Sequence, residues 1–489
     1  MPAPNPPTPL PSLANKRVLV MGLGRFGGGV GVSRWLVSQG AQVTVNDAAR
    51  ADKLADSLQQ LEGLPITFKL GGHDPADFLA ADLLVLNPAV DKRTSEPVQA
   101  ALRAGIPYTT EINLFVERCL ATTIGITGSV GKSTTTALIH EALKAGLHQT
   151  SDAPLQDSLA PPRVFLGGNI GRSLLLELSH IRPTDLVVLE LSSFMLEDTP
   201  HARNPRDGSP GWSPHIAVVT NVYPNHLDRH GTMAQYAAAK QNILRFQKPG
   251  DTAILNNDHE LVRRWTGLAE SRGAAVIKYT THVPGGPLPL AIPGEHNQSN
   301  ARAALALLDA LAPKFAVDRP AALHAIEQFP GLAHRLQLVH TLHIANRQIR
   351  FYNDSKATTP DASLTALDAF PPPPSRSAIF IVGGYDKHID LHPFAQALAE
   401  KAGAVLGIGQ TGGTLIDAIR AATPPSSTRL ENAGTLEAAV AIAARWAKES
   451  PNLTAIVLSP ASASYDQFPN YEKRGDLFIQ LARSVQEGG

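Results

Sequence analysis

The sequence predicts an α/β protein of three domains, each built on a mainly parallel sheet flanked by helices. Three observations predict it. At 489 residues the chain exceeds what one hydrophobic core can organise. Short apolar runs of strand length alternate with helix-length segments from residue 17 onward. Several of those runs end in glycine-rich or polar turns, the place where ligands enter open parallel sheets. The expected boundaries are 1–109, 110–331 and 332–489, with a Pro-rich, disordered tail over 1–13.

In the first domain, Arg17-Val-Leu-Val-Met21 reads as a buried strand entering Gly22-Leu-Gly-Arg-Phe-Gly27. A helix follows over 33–39, then a strand over 42–45 that ends near Asp47. A G-x-G-x-x-G turn with an acid about twenty residues on marks a nucleotide-binding βαβ unit. It does not choose the nucleotide, because NAD or a UDP-linked diphosphate could use the same amides and carboxylate. A strand over 83–86 and a helix over 98–104 complete the domain.

The middle domain carries the most informative stretch, Thr127-Gly-Ser-Val-Gly-Lys-Ser-Thr134. It lies between an apolar strand over 124–126 and a helix expected over 132–146. Glycines let backbone N–H groups close around phosphate oxygens, and the helix N-terminus adds partial positive charge. Lys132 can reach terminal phosphates, and the Ser133 hydroxyl can ligate Mg²⁺. Position 126 is Ile where the common pattern has Gly, so the loop is a variant anchored on Gly128 and Gly131. ATP is the ligand this stretch implies.

A buried strand over 186–192 carries Glu190 near its end, where a Mg²⁺-organising carboxylate belongs. His226 follows the strand over 216–222 and neighbours Asp228, a candidate ligand or polariser. Lys240 lies among alanines on a helix over 233–246, and on local grounds belongs to a solvated face. Asn297 and Asn300 share a side of the helix that runs to Leu311. Residues 149–163 and 198–214 read as insertions, and 331–335 as a hinge. Beyond it, strands over 349–353, 377–382, 404–408 and 454–458 alternate with helices over 414–421 and 436–448.

Forty-three basic residues balance 43 acidic ones, which gives no case for bulk nucleic-acid or membrane-surface binding. Cys119 is the only cysteine, which excludes disulfides and cysteine-based zinc sites. No apolar run reaches the ~20 residues needed to span a bilayer. A cytoplasmic monomer acting on small molecules is expected.

Taken in order, these strings resemble the Mur ligases, ATP-dependent amino-acid ligases of peptidoglycan synthesis. The resemblance rests on Gly22-Leu-Gly24, the 127–134 loop, Gly168-Asn-Ile-Gly171 and Glu190-Leu-Ser-Ser-Phe194. It continues through residues 221–229, Gly294-Glu-His-Asn297, His334-Arg335, Asn353-Asp-Ser-Lys-Ala-Thr358 and 383–387. The C-terminal string Ser459-Pro-Ala-Ser-Ala-Ser-Tyr-Asp-Gln-Phe468, with Asn470-Tyr-Glu-Lys-Arg-Gly475, is similar to that of the D-glutamate-adding member. Related members and folylpolyglutamate synthetase remain alternatives, as does a nucleotide-sensing protein that uses the first domain for NAD.

The resemblance implies a UDP-binding Rossmann-like domain, a P-loop-type ATP domain and a Rossmann-like C-terminal domain. It implies UDP-MurNAc-L-Ala and D-glutamate as substrates, joined through an acyl phosphate. It places Gly128, Ser129, Val130, Gly131, Lys132, Ser133, Thr134, Asn300, Arg335, Asp354 and Lys356 on ATP. The UDP substrate falls to Gly24, Arg25, Phe26, Asp47 and Asn169, and D-glutamate to Thr358, Lys387, Ser464, Tyr465 and Tyr471. Two Mg²⁺ ions are implied, held by Ser133, Glu190, His226 and a carbamylated Lys240, with Lys132, His226 and Lys240 in catalysis. Three departures stand out: Val130 and Tyr471, where the family usually has Asn and Phe, and Tyr223-Pro-Asn225, which replaces a more acidic run.

Overall fold

The computed structural model describes residues 10–23, 28–147, 161–171, 173–370, 375–422 and 428–486. The chain divides into two compact units, Met1–His282 with Ser299–Ile326, and Val283–Gln298 with Glu327–Gly489.

The first unit holds two sheets. One comprises β1 (Arg17–Met21), β2 (Gln42–Asp47), β3 (Ile66–Leu70), β4 (Leu83–Leu86) and β5 (Tyr108–Thr109), in the order β3-β2-β1-β4-β5 and parallel throughout. The other comprises β6 (Thr122–Thr127), β7 (Val164–Gly168), β8 (Leu186–Glu190), β9 (Ile216–Val219), β10 (Thr252–Asn256) and β11 (Ala275–Tyr279), in the order β11-β10-β9-β6-β8-β7. It too is all parallel. Parallel strands are covered on both faces, and every residue of β8 and β9 is accordingly buried. One apolar core runs from Val18 and Leu36 in the first layer through Phe115 and Leu175 to Leu189 and Val219 in the second.

The register of the second sheet gathers its functional ends. Ile126 lies opposite both Glu190 and Val218, and Thr127 opposite Val219. The chain leaves β6 toward β7 and β8 on one side and continues to β9 on the other. The crevice between the ends of β6 and β9 is therefore the topological switch point, where ligands bind open α/β sheets.

The second unit holds β12 (Gln337–Ile344), β13 (Arg347–Asn353), β14 (Ala378–Val382), β15 (Ala404–Ile408), β16 (Arg429–Gly434) and β17 (Ala455–Leu458), in the order β12-β13-β17-β14-β15-β16. The sequence reading found no strand at β12, and this strand pairs antiparallel with β13. Its residues are mostly half-buried, so its apolar pattern is weak. Two apolar layers sandwich this sheet, one around Phe380 and Phe394 and one around Phe351, Trp446 and Phe478.

Several elements differ in length from their sequence-based limits. Among the described residues the first helix begins at Gly28, five residues before its expected start, and Gly29 in its first turn packs against the Leu23 backbone with no room for a side chain. The stretch after Gly171, which the sequence predicts as a helix to His180, forms a 3₁₀ turn over Leu174–Glu177. The segment 198–214 is no loose insertion: Trp212 is buried, and Arg206 pairs with buried Asp251. Expectations for 1–9, for most of 149–163 and for 371–374 lie outside the described residues.

Candidate functional site

The phosphate-loop candidate connects β6 to the helix Lys132–Gly146. Gly131 caps that helix at φ 82°, and a Cβ there would lie 2.6 Å from Asn300 Oδ1. A Cβ on Gly128 would lie 2.0 Å from Thr220 Oγ1. Both positions therefore demand glycine, for conformation in one case and for space in both. Lys132 Nζ donates to the Ser129 carbonyl at 3.1 Å, so the ammonium folds back over its own loop. Ser133 and Thr134 are half-buried in the first turn of the helix, while Val130 is exposed.

Segment 220–223, leaving β9, is bonded along this loop. Asn221 Oδ1 accepts the N–H groups of Ser129 and Val130 at 3.0 and 2.9 Å, and its Nδ2 donates to the Val130 carbonyl at 3.0 Å. Thr220 Oγ1 donates to the same carbonyl at 3.0 Å. The Ser129 hydroxyl donates to the Tyr223 carbonyl and accepts the Tyr223 N–H. Asn300 reaches the loop from the helix Glu295–Leu311, accepting the Thr135 hydroxyl at 3.0 Å.

Glu190 is 1% exposed. Asn169 donates to its Oε1 at 2.8 Å, whereas its Oε2 is buried with no hydrogen-bond partner. An orphaned carboxylate oxygen at the end of a strand beside a phosphate loop is what a divalent cation would satisfy. Among the described residues no group of three or more His, Cys, Asp or Glu side chains gathers as a metal site. Hydroxyl and phosphate oxygens would have to complete the shell around a hard ion.

Lys240 corrects the local sequence reading. It is 1% exposed, not solvated, on the helix Met233–Arg245. Its Nζ donates to the Gly128 carbonyl at 2.7 Å and to Thr127 Oγ1 at 3.3 Å, and lies 4.8 Å from the Tyr236 ring centroid. Burial, reinforced by the nearby Lys132 cation and opposed by Glu190, pulls its pKa well below the lysine range. Alanine neighbours had suggested solvent. They in fact let the helix pack close to the sheet, so the lysine points inward.

His226 sits at φ 53° at the start of the short helix Leu227–His230. Burial lowers its pKa; Asp228 works against this, and Lys132 and Lys240 add to it, so the ring favours its neutral, ligand-competent form. Phe194 packs at 5.0 Å against His226 and stacks on His230 at 5.1 Å. Arg229 lies over the same ring and donates to the carbonyls of Ala89, Pro88 and Val90 in the loop that follows β4. Lys92 pairs with buried Asp198 at 2.7 Å. These contacts join the loop after the first sheet's β4 to the segments that follow β8 and β9 in the second.

At the first sheet, Asp47 Oδ2 accepts the Leu23 N–H and Oδ1 the Ala49 N–H, both at 2.9 Å. Gly24, Arg25 and Phe26 lie outside the described residues.

The C-terminal candidates cluster within the second unit. Asp354 accepts the Leu336 N–H and the Ser459 hydroxyl, and burial raises its pKa to about 7. Arg335 lies between His334 and Leu336, both at positive φ. Lys356 Nζ lies 5.8 Å from the Tyr471 ring centroid, and Lys387 Nζ donates to the Thr358 carbonyl at 3.4 Å. Ser464 is buried; Tyr465 is 68% exposed and meets Tyr385 edge-on. Arg474, 1% exposed, donates to the Ser355 side chain and carbonyl and to the Ser462 and Ala463 carbonyls.

Three family models match the chain in series. A "MurD-like, N-terminal domain" of Mur ligases covers 16–110, the "Mur ligase middle domain" 126–285 and the "glutamate ligase domain" 334–461. The chain belongs to the Mur ligase family. Relatives named UDP-N-acetylmuramoylalanine–D-glutamate ligase include one from Pelotomaculum thermopropionicum, 35% identical over 98% of this chain and 100% of that protein. Another, from Symbiobacterium thermophilum, is 36% identical over 94% and 97%. The solved UDP-N-acetylmuramate-alanine ligase MurC of Thermotoga maritima shares the fold, with a TM-score of 0.52 and 21% identity over 96% of this chain and all of that one.

The sequence assigns no role to three residues that tie loops together, Asn221 and Arg229 within the first unit and Arg474 within the second. All three lie within strings quoted for the resemblance. A polar side chain following a buried strand was the one local signal for Asn221. Nothing local marked the two arginines, whose partners lie far away in sequence or on backbone carbonyls.

Proposed function

We propose that this Mur ligase uses ATP to join D-glutamate to UDP-MurNAc-L-Ala in cytoplasmic peptidoglycan precursor synthesis. One observation carries the ATP-ligase reading: Lys132, the orphaned Glu190 oxygen and buried Lys240 converge on one phosphate loop at a switch point. The full-length similarity to D-glutamate ligases and the 459–475 string support D-glutamate as acceptor.

The substrate's terminal carboxylate attacks the γ-phosphorus of ATP, and ADP leaves. The D-glutamate amine then attacks the acyl-phosphate carbon, and inorganic phosphate departs as the amide forms. Negative charge gathers at each step, so fixed positive charge and orientation matter more than a strong base. The loop N–H groups that Asn221 does not engage, together with Lys132, hold the phosphates, with Asn300, Arg335, Asp354 and Lys356 as further nucleotide contacts. Asp47, Asn169 and residues 24–26 hold the UDP portion. Thr358, Lys387, Ser464, Tyr465 and Tyr471 receive D-glutamate.

Ser133, Glu190 and His226 would hold Mg²⁺, two ions in this reading, and the metal would neutralise phosphate charge. The depressed basicity of Lys240 favours the neutral amine that reacts with CO₂, and the carbamate would add two oxygens to this donor set. The three domains divide the work as UDP binding (1–109), ATP binding (110–331) and amino-acid binding (332–489), in a monomer. No helix among the described residues is long and apolar enough to cross a membrane.

Phosphate release tests the reaction. With Mg-ATP and UDP-MurNAc-L-Ala, release is expected on adding D-glutamate and not with L-glutamate, L-alanine or meso-diaminopimelate. Release with L-alanine in place of D-glutamate overturns the reading.

A further inference from the structure

Val130 offers no polar side chain, yet its loop is held in a defined shape. The hold comes from outside the loop. Asn221, two residues beyond β9, uses its whole carboxamide on two consecutive loop residues. The oxygen accepts the Ser129 and Val130 N–H groups, and the nitrogen donates to the Val130 carbonyl. Its own backbone carbonyl also accepts the Ser129 N–H at 3.0 Å. A three-point planar contact of this kind fixes the direction of the 130–131 peptide as well as the position of the loop.

We propose that Asn221 is a positioning residue for the nucleotide, holding the 128–131 backbone open in the shape that receives ATP phosphates. This rests on the reading of residues 127–134 as the phosphate loop. Its neighbours support a brace rather than a plug. Thr220 grips the same Val130 carbonyl, and the Ser129 hydroxyl is tied to the Tyr223 backbone and lies 2.9 Å from the Tyr236 hydroxyl. All of these anchors approach from the β9 and Met233–Arg245 side. The neutral carboxamide matters too. It satisfies two N–H groups without placing an anion beside phosphate, as a carboxylate of the same shape would.

The test is direct ATP binding by the full-length protein, together with KM for each substrate, in wild type, Asn221→Ala and Asn221→Asp. Asn221→Ala is expected to raise Kd and KM for ATP about tenfold, with kcat at saturating ATP and the other two KM values within about threefold. Asn221→Asp keeps the shape and the acceptor but loses the donor and adds charge, so ATP affinity is expected to fall further, by about a hundredfold. ATP binding by wild type with no change in either variant overturns the proposal. Tighter ATP binding by Asn221→Ala, the mark of a plug, or an equal rise in all three KM values, the mark of a merely structural residue, also overturns it. Failure of wild type to bind ATP would instead overturn the phosphate-loop reading.

Discussion

Two glycine-bearing turns in the first unit invite comparison, one from β1 toward the helix Gly28–Ser38 and one from β6 into Lys132–Gly146. In each, a side chain at the end of the neighbouring strand takes a turn N–H. Asp47 takes that of Leu23, and Asn221 those of Ser129 and Val130. The braces differ in charge, and the helices differ in what opens them. Lys132 and Ser133 begin the second helix, whereas the first begins Gly-Gly-Val-Gly and has no acidic residue in its first turn or basic residue in its last. A carboxylate suits donors such as ribose or uracil groups and repels a triphosphate brought close. A carboxamide also accepts from donors through its oxygen, but it carries no charge to repel a triphosphate. Under the proposed assignment the first turn serves the UDP portion and the second the ATP phosphates, and the charge of one side chain on the adjacent strand is a difference between them.

The largest effect is expected at the residue the first turn lacks. Lys132→Ala should lower kcat by at least ~10³-fold while melting temperature and UDP-substrate binding hold, because the lysine supplies charge to the phosphates. Phosphate-release kinetics alongside thermal unfolding check it. Near-normal turnover would make the two turns chemically equivalent.

Lys240 sharpens the contrast, since it brings a buried amine to a carbonyl of the second turn. Lys240→Ala should lose roughly 10²-fold in activity and recover part of it with acetate, as a carboxylate replaces the carbamate. Lys240→Arg should stay inactive. A ¹³C carbamate resonance is expected from active enzyme under ¹³CO₂, and its absence would argue for an unmodified lysine.

Asp47→Asn converts the first brace to the neutral type. Its amide can accept only one of the two N–H groups that Asp47 now serves, leaving a donor facing a donor. KM for UDP-MurNAc-L-Ala is expected to rise about tenfold with KM for ATP unchanged. A change in ATP affinity alone would reverse the assignment of the two turns.

The smallest effect extends the comparison to the third sheet, where Asp354 follows β13 and braces Leu336. Burial raises its folded-state pKa to about 7, above the ordinary aspartate value of 3.8. The folded form therefore holds a proton that the unfolded chain releases. Its stabilising contribution is complete below about pH 4 and is lost as pH rises to about 7. Denaturant titrations of the ligand-free protein should show that decline, on the order of 1–4 kcal/mol, and Asp354→Asn should flatten it. An unchanged slope in the variant would place the titration elsewhere.

Much of this organisation was legible in the chain. Apolar runs of three to seven residues ending in glycine or polar turns located the strands at the core of all three sheets, because buried parallel strands need unbroken hydrophobicity. The helix Lys132–Gly146 matched its expected limits, since Gly131 and Lys132 mark its start locally. The family strings supplied the candidate ligands in order. Other features depended on distance. Lys240 looked solvated until the helix Met233–Arg245 packed against β6, and β12 escaped notice because its half-buried residues carry no clean period.

By itself, then, the sequence determined the three α/β layers, the phosphate loop and the family, all properties of contiguous residues whose conformational and hydrophobic preferences act locally. Only the tertiary structure decided that Glu190 keeps an unpaired oxygen, that Lys240 is desolvated and that Asn221 and Arg229 tie separate strand ends together. Those depend on the register of Ile126 against Glu190 and Val218, which sums long-range packing that no local window contains.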